Sequence, residues 1–230
     1  MAAPRDPGLV IFDCDGVLVD SEPLAARGYS AVFGEFGLEL PADLMEGAIG
    51  LKQEDIFARI EAAIGRPIPA DVAERLWLRT REIFEAELES TAGLRDFLDR
   101  LTFPKCVASS SHIERIHFSL RLTGLQRYFG EAVFSTQMVA HGKPAPDIFL
   151  YAAHRMGVDP ARCVVIEDSE PGVRGASAAG MRTIGFLGGA HIRDGHGEML
   201  REAGVDFLAA SWTDVDRLLA SQDLRSERHV

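Results

Sequence analysis

A chain of 230 residues, 47% hydrophobic and 26% charged, has enough apolar material for one large domain or for a core domain with a smaller companion. Its formal net charge of -11 argues against nucleic acid or an anionic membrane surface as the main partner, and no apolar run approaches the ~20 residues of a membrane helix. Met1 to Pro7 lack the apolar core of a secretory signal and three cysteines make no even disulfide framework, so a cytoplasmic, monomeric protein is expected.

The first predicted element is Leu9-Val10-Ile11-Phe12, a continuous apolar run of the kind that forms a strand buried on both faces. It leads into Asp13-Cys14-Asp15-Gly16, two carboxylates one residue apart on a turn that Gly16 allows to be tight. The two acids can face one pocket, while Cys14 alternates away into the sheet and is read as packing. An aspartate at a strand end can attack phosphorus to give an aspartyl-phosphate, and the second can protonate a leaving alkoxide and then activate water. A turn with two solvated aspartates explains the same four residues, because Asp and Gly are ordinary turn formers.

Residues 22–90 contain no convincing buried strand, only amphipathic helical patterns such as 73–88. A helical cap domain, 21–90, is therefore expected to interrupt an α/β core formed by 1–20 and 91–230. Placed directly after the first strand's loop, it would sit over the carboxyl edge of the sheet, where open α/β folds bind ligands. Trp77 and Arg81 on its later helix are read as cap packing.

Beyond the insertion, strands and helices alternate. A helix over 94–101 precedes Lys105-Cys106-Val107-Ala108, a strand ending at Ser109-Ser110-Ser111. There, hydroxyls and backbone amides can hold a phosphate oxygen, or simply cap the next helix. A third strand over 132–134 ends at Ser135. In His141-Gly142-Lys143-Pro144-Ala145-Pro146-Asp147, Pro146 suits the first turn of a helix over 148–156, and Pro144 keeps Lys143 extended and able to point inward. Most lysines are solvated instead.

A fourth strand, Cys163-Val164-Val165-Ile166, ends at Glu167-Asp168. Adjacent acids after a buried strand are costly unless they meet a cation or hydrogen-bond donors. Mg²⁺, a hard ion that takes oxygen ligands, fits the carboxylates of Asp13 and Asp168 with the Asp15 carbonyl. A charged turn capping a helix that starts near Pro171 accounts for one acid but not for the set. Strands over 182–186 and 206–208 complete the series. The glycine-rich stretch carrying His191 and His196 is read as a solvated connection rather than a metal site, and the tail after Leu219 is expected to fray. The alternation predicts a Rossmann-like, doubly wound parallel sheet.

Taken together, Asp13-x-Asp15-Gly-Val-Leu-Val-Asp20-Ser21, Ser109, Lys143-Pro-x-Pro146-Asp147 and Glu167-Asp168-Ser169-x-x-Gly172 resemble the four loops of the haloacid dehalogenase superfamily. The likeness is to the subgroup with an α-helical cap after the first loop, which includes β-phosphoglucomutases and many sugar-phosphate phosphatases. It implies an enzyme that uses Mg²⁺ and a small-molecule phosphate ester, with Asp13 as nucleophile and Asp15 as acid and base. Ser109, Ser110 and Lys143 would hold the phosphate. Asp13, Asp15 and Asp168 would surround the metal, with Glu167 as a fourth ligand or a support behind them.

Lys52 and Gln53, in the cap loop Gly50-Leu51-Lys52-Gln53-Glu54-Asp55, are the candidates for reading the leaving group, against the alternative of an exposed turn. An acid at Asp15 argues against dehalogenation, since a halide departs without a proton. No histidine occurs in Ser21-Glu22-Pro23-Leu24-Ala25-Ala26, and Gln53 stands where a mutase arginine would align. Both departures favour hydrolysis of a sugar or sugar-acid phosphate over a phosphomutase reaction. A binding protein without turnover would need Ser109 and Lys143 but not the aspartate pair.

Overall fold

A computed structural model of the chain describes residues 7–40, 44 and 51–221. Gly50, the first six residues and the tail beyond Ser221 lie outside the described residues. Among the described residues no helix is long and apolar enough to cross a membrane.

Six parallel strands form one sheet: β1 (Leu9–Phe12), β2 (Lys105–Ser109), β3 (Val133–Ser135), β4 (Cys163–Glu167), β5 (Arg182–Phe186) and β6 (Phe207–Ala209). Their order is β3-β2-β1-β4-β5-β6, so the winding direction reverses beside β1. Phe12 pairs with Val107 of β2 and with Ile166 of β4, which brings Asp13 and Glu167 out at the same carboxyl edge. That edge, at the reversal point, is where doubly wound sheets leave a crevice.

The strand sequences follow from burial on both faces. Val10 and Phe12 enter one apolar layer with Val107, Ile166, Phe97 and Trp212, while Leu9 and Ile11 enter the other with Cys106, Val165, Ile148 and Phe149. Helices cover both layers: α4 (Leu94–Arg100), α5 (Ile113–Leu122), α6 (Gln126–Phe129), α7 (Asp147–Met156), α8 (Glu170–Ala178), α9 (His196–Glu202) and α10 (Trp212–Ala220). Cys14 is buried in the first layer, and burial pushes its thiol well above the usual range, so it packs as a protonated side chain.

Between β1 and β2 the described residues form only helices: α1 (Glu22–Glu35), α2 (Gln53–Ile64) and α3 (Val72–Glu87). Tyr29, Val32, Phe33, Ile60, Val72 and Leu76 make a separate apolar cluster there. Gly28 lets α1 approach α3 closely, because a Cβ would stand 2.6 Å from Thr80 Oγ1. The two chain connections to the sheet run side by side, with Asp20 N donating to Glu89 O at 3.1 Å and Thr91 N to Leu18 O at 3.1 Å.

Element limits move by a residue from the sequence reading. β3 and β6 each start one residue later than expected, and Pro146 stands just before α7 rather than in its first turn.

Candidate active site

Three strand ends meet at one ammonium group. Lys143 Nζ donates to Asp13 Oδ1 at 2.6 Å, to Glu167 Oε1 at 2.6 Å and to the Ala108 carbonyl at 3.1 Å. Lys143 is only 3% exposed, so the alternative of a solvated lysine does not describe it. Burial pulls its affinity for a proton down, but the Asp13 and Glu167 carboxylates outweigh that and hold the ammonium above its ordinary value.

Asp15 sits on the same edge in a different setting. Ser21 Oγ donates to its Oδ1 at 2.6 Å, Ser111 Oγ to its Oδ2 at 2.6 Å, and Arg115 to Oδ1 at 2.7 Å. Burial alone would raise this carboxyl, yet the Arg115 guanidinium and the two hydroxyls hold it below its ordinary value. Ser109 is buried and its Oγ accepts from Ser111 N at 3.1 Å, while the N-cap of α5 is His112. Ser109 therefore shapes the loop and does not cap the helix. The Ser110 carbonyl accepts from Thr136 Oγ1 at 3.1 Å.

The charge of this cluster is unbalanced. Four carboxylates, Asp13, Asp15, Glu167 and Asp168, face one ammonium and one guanidinium, which leaves two negative charges uncompensated at buried positions. Burial, together with the neighbouring carboxylates, pushes Asp13 and Asp168 well above the usual carboxylate range. Asp13, Glu167 and Asp168 each offer an oxygen within 4.8 Å of the others, and Asp168 Oδ2 is buried with no hydrogen-bond partner. These residues fit a hard divalent cation. Within the triad Glu167 is the most committed: Oε1 receives Lys143, and Oε2 receives Asp168 N, Ser169 N and Ser169 Oγ at 3.0, 3.0 and 2.9 Å.

Beside these acids lies a cavity of about 610 Å³ between the helical insertion and the sheet edge. Ser111 and Arg115, both bonded to Asp15, form part of its core wall together with Ser110 and Gln137. Lys52 and Gln53 line the opposite wall at the start of α2, and the Lys52 stem runs so close to Gly142 that any side chain there would collide with it. Trp77 departs from the reading as cap packing. It lines the cavity and also meets Phe118 of α5 edge to face at 5.6 Å. Arg81 stays outside, stacked over Phe118 at 5.1 Å and paired with Glu85 at 3.0 Å.

The chain matches the haloacid dehalogenase-like hydrolase family over residues 7–180. It is a member of that family. It is 31% identical to the 6-phosphogluconate phosphatase of Escherichia coli (strain K12) over 184 residues, 79% of this chain and 83% of the relative. It is 33% identical to the phosphorylated carbohydrates phosphatase of Thermotoga maritima over 200 residues, 85% of this chain and 91% of the relative. Among solved structures, a haloacid dehalogenase family hydrolase of Deinococcus radiodurans R1 with bound phosphate and sodium superposes with a TM-score of 0.75 at 30% identity, covering 98% of this chain and all of the other.

For this haloacid dehalogenase-like hydrolase, the sequence reading missed Ser111, Arg115, Glu22, His191 of the 187–195 loop and His196 at the start of α9. Ser111 belonged to a quoted serine run, but its aim at Asp15 depends on how the loop folds back. Arg115 lies in the first turn of α5, where no pattern of residue types reveals its direction. His191 was read as part of a solvated connection, yet it is 8% exposed and contacts Asp168, because the loop folds inward against Gly16.

Glu22 is the first residue of α1. Burial, reinforced by the Asp15 carboxylate, pushes its carboxyl from 4.5 to about 7. The folded protein then keeps a proton that the unfolded chain releases, so this group lowers stability as pH rises from about 4.5 to 7. Glu22→Gln is expected to raise Tm relative to wild type at pH 8 and to match it at pH 4.5. An equal Tm difference at both pH values would show that Glu22 titrates normally.

Proposed function

We propose that this hydrolase is a magnesium-dependent phosphatase of small phosphorylated carbohydrates or sugar acids, working through an aspartyl-phosphate on Asp13. The observation that carries the reading is the pairing of Asp13 with buried Lys143 at 2.6 Å, beside a second, separately held carboxyl at Asp15. The phosphatase activities named for the relatives support it, and so does the phosphate bound in the Deinococcus structure.

In this reading the Asp13 carboxylate attacks phosphorus as the bond to the ester oxygen breaks. Lys143 favours the ionised form of Asp13 against the effect of burial and offsets negative charge on the transferring group. Asp15, ionised in the substrate-free protein, has to take up a proton with the substrate and then gives it to the leaving alkoxide. It then takes one from the water that attacks the aspartyl-phosphate, which frees Asp13 and inorganic phosphate. Asp13, Asp168 and the Asp15 carbonyl would hold the cation, which supplies Lewis-acid charge neutralisation when bound. Glu167, with both oxygens engaged, positions Lys143. Ser109 and Ser110 present the phosphate site, and Lys52 and Gln53 meet the leaving group from the cap formed by residues 21–90.

The role of Asp15 separates this scheme from simple phosphate binding. Asp15→Ala is expected to slow alkyl phosphates by about 10²- to 10⁴-fold, and to slow aryl esters, whose phenolate departs without a proton, far less. Phosphate release from sugar and sugar-acid phosphates with and without Mg²⁺ measures both. Equal losses on both ester types would remove Asp15 from the acid role, and isomerisation of a sugar phosphate without phosphate release would make the enzyme a mutase.

A further inference from the structure

The loop after β5 and the start of α9 bring two histidines to the acidic cluster, and the proposed reaction uses neither. His191 Nε2 lies 2.9 Å from Asp168 Oδ2. The contact lacks the alignment of a hydrogen bond, and neither that oxygen nor either His191 ring nitrogen has a hydrogen-bond partner among the described residues. Buried polar atoms left this way are costly, and these two are within reach of each other. His196 meets the same residue from its backbone: Nε2 lies 2.6 Å from the Asp168 carbonyl. A carbonyl only accepts, so Nε2 of His196 carries the proton.

The surrounding packing holds this arrangement in place. The two imidazoles meet edge to face with centroids 5.6 Å apart. A Cβ on Gly16 would collide with both Asp168 and His191, and one on Gly189 would stand 2.9 Å from the His191 ring. Ala190 N donates to Asp20 Oδ1 at 2.7 Å, which ties the histidine loop to the loop carrying Asp13 and Asp15.

We propose that His191 and His196 are positioning residues for the divalent cation, His191 bearing on the Asp168 carboxylate from the Oδ2 side and His196 on its carbonyl, so that the carboxylate is presented in one orientation. The inference rests on the metal-dependent reading of the site. A carboxylate confined by a neighbouring ring and held at its backbone loses less side-chain freedom when it takes a metal. Outer partners of this kind are worth about 10- to 100-fold in metal affinity.

The test is Mg²⁺ binding to the substrate-free protein, measured by calorimetry and by the Mg²⁺-induced rise in Tm, with Asp168→Asn as the ligand knockout. His191→Leu is expected to weaken Mg²⁺ binding by about 10- to 100-fold. His191→Gln, whose amide nitrogen can reach toward Asp168, is expected to recover most of that loss. His196→Ala is expected to weaken binding as well. Should His191→Leu fail to fold, His191→Asn, polar but too short to reach Asp168, takes its place with the same expected loss.

If the His191 variants bind Mg²⁺ as wild type does while Asp168→Asn does not, the positioning role is overturned and the metal reading stands. If wild type neither binds Mg²⁺ nor is stabilised by it, the metal reading fails and the positioning role fails with it.

Discussion

Asp13→Asn is expected to lower kcat on every phosphate ester by at least ~10⁴-fold, because a neutral amide cannot form the acyl phosphate and the other groups act only through it. The substitution preserves volume at a site 4% exposed, and Lys143 keeps its 2.6 Å contact with Glu167, so the folded protein should persist. Substrate affinity should change much less than turnover, since Ser109, Lys143 and the cavity wall remain. Single-turnover phosphate release, with equilibrium binding of a substrate analogue, measures the two effects separately. Residual turnover within tenfold of wild type would show that water attacks the ester directly and that Asp13 only binds.

Lys143→Met is expected to have the largest effect on stability. It removes a side chain 1% exposed from between Asp13 and Glu167 and leaves those carboxylates and Asp168 buried without the ammonium. Breaking a buried pair in this way costs about 3–5 kcal/mol, which for a chain of this size lowers Tm on the order of 10 °C. The sign of the pH dependence follows from the carboxylates. Asp13 and Asp168 already hold protons above the ordinary range, and losing Lys143 raises Asp13 further. The deficit should therefore shrink as pH falls and these groups become neutral, and it should be largest near neutral pH. Thermal unfolding of wild type and variant between pH 5 and 8 gives the result. A deficit that does not vary with pH would place the loss in packing against Phe149, which lies 5.3 Å below the ammonium.

Both predictions use residues that the sequence made visible, for a simple reason. In a parallel sheet every strand leaves its carboxyl end at one edge, so polar residues directly after apolar runs must share that edge. Leu9 to Phe12 and Cys163 to Ile166 are continuous apolar runs, and the acids that follow them, Asp13, Glu167 and Asp168, are brought together by register alone. Helical periodicity where the strand pattern stops likewise matches the helices that the described residues form between β1 and β2.

What strand and helix patterns determine is the placement of an element, and with it the residues at its ends. They do not determine the aim of a side chain from a helix face or the course of a loop. Arg115 reaches Asp15 only because α5 packs against β3 and turns that face toward the first loop. Ser111 reaches it because the chain after β2 folds back before α5 begins. Trp77 faces a cavity rather than an apolar interior because the wall opposite α3 is the polar sheet edge. His191 reaches Asp168 because Gly16 and Gly189 leave room for its ring. Periodicity and strand-end chemistry thus decided the fold class and singled out Asp13, Lys143, Glu167 and Asp168, which the fold brings together. Tertiary packing alone decided which groups hold Asp15 ionised and which bear on Asp168, because those contacts join residues far apart in the chain through surfaces that no local pattern encodes.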